Sequence, residues 1–181
     1  MKEKFIELLK STKREGINDL INWLENCTDF FTAPASTKYH LSREEGLLEH
    51  SLNVYKMLSN EKYSQADLDT IIITSLLHDV CKANFYKTSY RNVKNENGEW
   101  EKVPYYTIDD SFPLGHGEKS VILIQKYIKL TDEEIAAIRW HMGGYEPKEY
   151  YNALSVAYNK YPLVLYLYIA DLKATYILEK E

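Results

Sequence analysis

Apolar residues recur at spacings of three and four along most of the chain, which is the pattern of amphipathic helices. One stretch differs, because Ile71–Leu77 is apolar on nearly every side. We expect it to form a central helix that begins after an N-cap at Asp67 and ends at His78 and Asp79. The predicted helices cover residues 2–10, 17–26, 45–58, 67–77, 118–127, 131–142, 149–159 and 162–179.

The segment 85–108 breaks this helical pattern. Aromatic and β-favouring residues flank Asn97 and Gly98, and Asn-Gly between two such runs is a strong signal for a β-hairpin. We expect paired strands over 85–93 and 100–108 that project from a helical body. The hairpin lies in sequence between two groups of candidate site residues, so we expect it to border the site.

The composition is that of one globular domain over residues 1–181, with 45% hydrophobic and 27% charged residues. A net charge of -5 argues against a protein that grips long nucleic acid through a basic surface, but it allows a small anionic substrate held by cations. Cys27 and Cys81 have no CxxC spacing, so neither a disulfide framework nor a thiolate zinc site is indicated. We expect a reduced, cytoplasmic protein without a membrane segment.

All five histidines lie between positions 40 and 141, and four of them lie at or near the ends of predicted helices: His50, His78, His116 and His141. Imidazole and carboxylate groups together suit Mn, Fe, Ni, Co or Zn, whereas Mg prefers oxygen-rich shells. Lys82 follows His78 by four residues and Asp79 by three, so on a continuing helix it shares their side. A cation at that position suits a substrate phosphate oxygen.

At these residues the sequence resembles the HD superfamily of metal-dependent phosphohydrolases. The match consists of His50 in GLLEHSLNVY, the doublet of His78 and Asp79 in SLLHDVCK, and Asp171 in YIADLKA, in the order that the family uses. The resemblance implies that these four side chains ligate a first metal ion. It also implies an all-α fold, an HD-domain helical bundle with a small β-hairpin insertion.

The resemblance covers residues 38–175 as a metal-binding core and leaves the N-terminal helices within 1–28 outside it. His116 in PLGHGEKS and His141 in IRWHMGG resemble the second-metal ligands of the binuclear branches, with Asp79 as the bridging ligand. The implied cofactor is one or two divalent ions: Mn, Fe, Ni, Co, Zn or Mg. The stretch KYHLSREEGLLEHS is similar to the region before the first histidine in 3'-to-5' exoribonucleases of the family.

The implied reaction is hydrolysis of a phosphate ester or anhydride of a nucleotide or short oligonucleotide by a metal-activated water. The implied partner is thus a small phosphorylated molecule. The residues expected to take part in catalysis are Asp79, Lys82 and His40. The residues expected to contact the substrate are Lys38, Arg43, Lys82, Tyr86 and Tyr145.

Each candidate residue also has a structural interpretation. His116 and His141 could be helix-end residues that interact with the helix dipole, His40 a loop residue, and Lys82 a solvated helix-end cation. Two other functions stay open. One is a 3'-to-5' exonuclease on single-stranded RNA or DNA, and the other is a catalytically silent nucleotide- or metal-binding module.

Overall fold

The computed structural model describes residues 1–60 and 66–180, and their regular secondary structure is helical apart from one hairpin. The α-helices are α1 (Lys2–Ser11), α2 (Ile17–Asn26), α3 (Gly46–Ser59), α4 (Leu68–Leu77), α5 (His116–Gln125), α6 (Asp132–Trp140), α7 (Tyr151–Lys160) and α8 (Pro162–Lys173). The antiparallel strands are β1 (Tyr86–Lys94) and β2 (Trp100–Ile108). The expected all-α fold with a small β-hairpin is confirmed. Among the described helices, none is long and apolar enough to cross a bilayer.

Helix α4 lies at the centre of the bundle, as its apolar sequence predicted. All of its residues from Thr70 to Leu77 are buried, and each large apolar side chain buried there stabilises the fold by about 2 kcal/mol. Helix α4 packs against α3 and α6, and α8 packs against the same two helices. The end of α4 therefore lies among the helices that carry the other candidate ligands.

Side-chain caps fix where α4 and α6 begin. The Asp67 carboxylate accepts a hydrogen bond from the Thr70 amide at 2.7 Å, and Thr131 and Glu134 form the predicted capping box. Such caps satisfy amides that a helix start leaves unpaired, and each contributes about 1 kcal/mol. The caps therefore set the register in which α4 and α6 begin, and the two helices end at His78 and His141 as C-cap residues.

Glu134 also forms a buried junction between α6 and the N-terminal helices. Its side chain is fully buried and accepts hydrogen bonds from the Arg14 guanidinium, the Thr70 hydroxyl and the Thr131 amide. A buried carboxylate is tolerated only when its oxygens are paired in this way. The junction therefore connects the turn after α1 to the central bundle.

The hairpin forms at the predicted turn, although β1 begins one residue later than expected. Tyr86 pairs with Ile108 and Lys94 with Trp100, and Gly98 at the turn has a φ of +79°. That left-handed conformation costs glycine little and other residues more, which is why Asn-Gly marks the turn in the sequence.

The expected last helix over 162–179 is wrong in its final part. Helix α8 ends at Lys173, and Ala174–Leu178 form a π-helical turn in which the Glu179 amide donates to the Ala174 carbonyl at 3.1 Å. This wider turn brings the Glu179 side chain into the interior, where the residue is only 5% exposed. Such turns are rare and occur often at functional sites.

Candidate metal centre

Asp79 is the centre of a cluster that draws on five parts of the chain. It follows His78, the C-cap residue of α4, and is 2% exposed. Its Oδ2 atom lies 2.6 Å from Nζ of Lys82 and 3.7 Å from Nε2 of both His50 and His78. Its Oδ1 atom lies 2.7 Å from Nε2 of His116 and 3.4 Å from Nε2 of His141. The two carboxylate oxygens thus face two different groups of histidines.

His78 and His141 are oriented by the ends of their own helices. Each is the C-cap residue, and its Nδ1 donates to a carbonyl three residues earlier: Ser75 at 2.8 Å and Ile138 at 2.6 Å. Those carbonyls are free to accept because a helix end leaves its last carbonyls unpaired. The Nε2 atoms of both histidines are buried and have no hydrogen-bond partner among residues 1–60 and 66–180. Both therefore present a lone pair toward Asp79.

His50 lies within α3 and is held from both sides by carboxylates. Its Nε2 is 3.2 Å from Asp171 Oδ1, and its Nδ1 is 3.1 Å from both carboxylate oxygens of Glu179. Burial alone would lower the pKa of His50, but the hydrogen bonds with Asp171 and Glu179 outweigh it and raise the pKa to about 10. His50 therefore bridges α3 to α8 and to the turn after it.

His116 opens α5 and is the most exposed of the four helix-associated histidines, with 31% of its side chain accessible. Its Nε2 contacts Asp79 and its Nδ1 lies 3.2 Å from Sγ of the buried Cys81. Burial lowers its pKa, whereas Cys81 and Asp79 raise it to a net value of about 10. This contact with Cys81 was not expected from the sequence.

The pKa values of Asp79, Lys82 and His78 depend on one another and on burial. Burial raises the pKa of Asp79, but Lys82, His78 and His116 hold it well below its usual range. Burial lowers the pKa of Lys82, but Asp79 more than compensates and raises it, so the amine stays protonated. Burial lowers the pKa of His78 to about 4, so this imidazole is neutral and able to act as a ligand.

The donor set fits a divalent cation. Ligand atoms of His50, His78 and Asp171 lie within 4.8 Å of one another, and so do those of His78, Asp79 and His141. Unpaired buried imidazole nitrogens beside carboxylates are costly unless something binds between them. Mixed imidazole and carboxylate ligands favour Mn, Fe, Co, Ni or Zn over Mg. The structure therefore brings the six sequence-predicted ligands to one place.

The cluster forms one wall of a cavity of about 690 Å³, a size common for small-molecule sites. Asp79, Lys82 and His116 contribute polar atoms to its lining, whereas Met142 and Leu172 contribute apolar surface. Three tyrosines that are more than half exposed also line it: Tyr39, Tyr145 and Tyr176. The hydroxyls of Tyr145 and Tyr176 are 2.9 Å apart.

The other predicted catalytic and substrate residues are distributed unevenly around this cavity. His40 and Tyr145 line it. The His40 ring lies 4.9 Å from the His50 ring and is tilted by 44° to it, and its buried Nε2 has no hydrogen-bond partner among the described residues. Arg43 pairs instead with Glu49 at 2.5 Å. Lys38 is exposed and lies over the Tyr39 ring, and Tyr86 donates a hydrogen bond to the Ala35 carbonyl at 3.3 Å. Lys38, Arg43 and Tyr86 are not among the residues that line the cavity, and their contact with substrate stays a prediction.

Several residues at the site were not predicted from the sequence. Cys81, Met142 and Tyr176 contact the cluster or its cavity, and Glu179 holds His50. None of them forms a spacing motif with the histidines. Only their position in three dimensions reveals them.

The fold is thus a helical bundle in which histidines and aspartates from several helices converge on one centre. A family model for the HD domain matches residues 47–175, more than two thirds of the chain, and the chain belongs to this family. It is also 30% identical over 118 residues to dihydroneopterin 2',3'-cyclic phosphate phosphodiesterase of Methanocaldococcus jannaschii. That match covers 60% of this chain but only 43% of the relative, so the chain spans less than half of the relative's length. No solved structure gave a significant match.

Proposed function

We propose that this chain hydrolyses a phosphate ester or anhydride of a nucleotide or short oligonucleotide, with a divalent cation as cofactor and water as nucleophile. The observation that carries the proposal is that the two carboxylate oxygens of Asp79 face two different groups of imidazoles beside a cavity. Oδ2 faces His50 and His78, and Oδ1 faces His116 and His141. This division supports two cation positions, each of which Asp79 would help to hold.

In this proposal His50, His78, Asp79 and Asp171 would hold a first ion, and Asp79, His116 and His141 would hold a second. When bound, such ions supply Lewis acidity at phosphoryl oxygens and lower the pKa of a water molecule. The protein must then orient the phosphate at the ions.

In this proposal Lys82 and His40 contact the phosphate and the leaving group. Lys82 lines the cavity with a protonated amine, which suits a non-bridging phosphate oxygen or a departing oxygen. Burial, followed by the charges of His50 and Lys82, lowers the pKa of His40 to about 4. His40 is therefore neutral, so it would accept a hydrogen bond or a proton and would not neutralise phosphate charge.

The tyrosines of the cavity support a substrate that carries a flat ring. Tyr39, Tyr145 and Tyr176 offer exposed aromatic surface next to the polar wall, and stacking of a base on such a surface is worth about 1–3 kcal/mol. A nucleotide combines a ring with a phosphate. The name of the archaeal relative likewise describes a substrate with a ring system and a 2',3'-cyclic phosphate, so cyclic phosphodiesters belong among the substrates to be tested.

The proposal is tested by stripping the protein of metal, restoring Mn²⁺, Co²⁺, Ni²⁺, Zn²⁺ or Mg²⁺, and measuring phosphate-ester cleavage. The substrate panel contains nucleoside mono- and triphosphates, 2',3'-cyclic nucleotides and short single-stranded RNA and DNA. We expect metal-dependent cleavage of at least one class. Absence of cleavage throughout would defeat the proposal, and tight nucleotide binding without turnover would favour a silent binding module.

A second candidate function is 3'-to-5' exonuclease activity, which the surface of the hairpin favours. Cations lie over aromatic rings at three places along the strands: Arg91 over Tyr105, Lys94 over Trp100 and Lys102 over Tyr90. Tyr90 and Trp100 are 58% and 69% exposed. Aromatic platforms interleaved with cations are typical of single-strand binding surfaces.

The two candidates differ in their dependence on salt and on the hairpin. If a homopolymer binds along the hairpin, the rate of its cleavage should fall by roughly tenfold or more between 50 and 200 mM salt. The rate of cleavage of a mononucleotide should change little. Trp100→Ala should weaken cleavage of the oligomer and spare the mononucleotide. Equal effects of Trp100→Ala on both substrates would remove the support for an exonuclease.

A further inference from the structure

Glu179 is a buried acidic residue in an otherwise exposed stretch. Its side chain is fully buried, whereas Tyr176 and Ile177 before it are 54% and 65% exposed. This arrangement is the reverse of what apolar burial would produce. Glu179 also lies beyond residues 47–175, which the family model matches. A buried carboxylate outside the family pattern needs a local explanation.

The explanation begins with the position of His50 in its helix. His78 and His141 follow the last turns of their helices, so each finds a free carbonyl for its Nδ1 proton. His50 is the fifth residue of α3, where backbone carbonyls are engaged within the helix. The Leu47 carbonyl, three residues earlier, also accepts the Ser51 hydroxyl at 3.0 Å. His50 therefore needs an acceptor from another part of the chain.

Glu179 supplies that acceptor. Both of its carboxylate oxygens lie 3.1 Å from Nδ1 of His50, and Asn53, one turn along α3, donates to Oε1 at 3.0 Å. The π-helical turn positions Glu179 by joining its amide to the Ala174 carbonyl. With Nδ1 engaged in this way, the opposite ring nitrogen points toward Asp171 and Asp79, at 3.2 and 3.7 Å.

We propose that Glu179 is a positioning residue for the metal centre, which keeps the Nδ1 proton of His50 directed away from the cation and presents Nε2 as the ligand. The inference rests on the proposed function, because it needs His50 to bind a cation. A carboxylate behind a ligating histidine fixes the ring orientation and increases its basicity, and loss of such a partner typically lowers metal affinity by about 10- to 100-fold.

The test compares Glu179→Ala and Glu179→Gln with the parent protein and with a matched control, Glu3→Gln, which removes one exposed carboxylate of α1. Affinity for Co²⁺ alone is measured by chelator competition, and the visible Co²⁺ spectrum reports the ligand geometry. Circular dichroism and thermal unfolding of the metal-free proteins report the fold. Asn53→Ala provides a second, milder change, because it removes only the donor that anchors Glu179.

We expect Glu179→Ala to weaken Co²⁺ binding by about 10- to 100-fold and to change the spectrum. Glu179→Gln keeps a neutral acceptor, so its loss of Co²⁺ affinity should be smaller than that of Glu179→Ala. The Co²⁺ affinity of Asn53→Ala should lie between that of Glu179→Gln and that of the parent. Glu3→Gln should match the parent in every measurement.

Co²⁺ affinity within twofold of the parent and an unchanged spectrum in Glu179→Ala would overturn the inference. If that variant does not fold, the same result in Glu179→Gln and Asn53→Ala together would overturn it. A parent protein that binds no Co²⁺ would instead defeat the proposed metal centre itself, so the two failures are distinguishable.

Discussion

Replacement of Asp79 by Asn tests the centre most directly, because the change keeps the shape of the side chain and removes its charge. In the structure that charge faces the protonated Lys82 at 2.6 Å and His116 at 2.7 Å, and all three side chains are at least two thirds buried. Breaking a buried ion pair by neutralising one partner costs about 3–5 kcal/mol. His116 is 31% exposed, so solvent reduces its share and we expect the lower end, about 3 kcal/mol.

The same substitution should abolish stabilisation by metal. For the parent protein, Mn²⁺ at about one hundred times its dissociation constant adds about 2.7 kcal/mol to the free energy of unfolding. For a chain of this length that corresponds to a rise in Tm of about 5–10 °C. Asp79→Asn removes the carboxylate that both groups of imidazoles face. The Mn²⁺-dependent rise should therefore nearly disappear, along with metal-dependent hydrolysis.

The assay is thermal unfolding with and without Mn²⁺, repeated by urea denaturation for the metal-free proteins. Asp109→Asn is the matched control, because Asp109 also pairs with a lysine, Lys87 at 3.1 Å, but both side chains are more than half exposed. The control should change stability by less than about 1 kcal/mol and keep the full metal response. An Asp79→Asn protein with the parent's metal response would refute the assignment of Asp79 as a ligand.

Three further predictions concern the fold, the cavity and the response to acid. Glu134→Gln should lower the free energy of unfolding in urea by about 3 kcal/mol, because it leaves the Arg14 guanidinium facing a neutral amide; an unchanged midpoint would contradict this. Tyr176→Leu should raise KM more than it lowers kcat for a substrate with a ring, and an equal effect on a ring-free phosphodiester would contradict a stacking role. Burial raises the pKa of Asp110, but the hydrogen bond from Lys119 outweighs it and lowers the pKa below 3.8. The parent protein should therefore be more stable than Asp110→Asn well above pH 4, and this difference in the free energy of unfolding should fade as the pH falls below 4. A difference that grew in acid would contradict the pairing of Asp110 with Lys119.

Much of the fold could be predicted from the sequence because its signals are local. The Asp67 cap, the capping box at Thr131 and the Asn-Gly turn each act within a few residues, and the structure shows all three. The end of α8 was not predictable in the same way. Continuous helical spacing runs through residue 179, but the chain leaves the α-helix at Ala174, and the buried partner of Glu179 lies more than a hundred residues away.

The candidate ligands could be named from the sequence because their residue types suit a metal ion and their order resembles that of the HD family. The residues around them could not, since their roles depend on neighbours that are distant in sequence. Arg43 looked suited to phosphate, but Glu49 competes for it at 2.5 Å. Cys81 gave no metal signal, yet the fold places its sulfur 3.2 Å from the His116 ring. Sequence patterns thus indicate donors, whereas packing decides which of them are available.

The C-termini of helices α4 and α6 both point toward Asp79. This arrangement affects the order in which cations and substrate bind. Each C-terminus carries about half a negative charge, and the nearby carboxylates of Asp79, Asp171 and Glu179 are already matched by Lys82, His50 and His116. A phosphate that enters without cations would meet the negative poles of both helices. We therefore expect obligatory loading of the ions before the substrate, so that calorimetry in chelator should detect no nucleotide binding; micromolar binding there would rule out such an order.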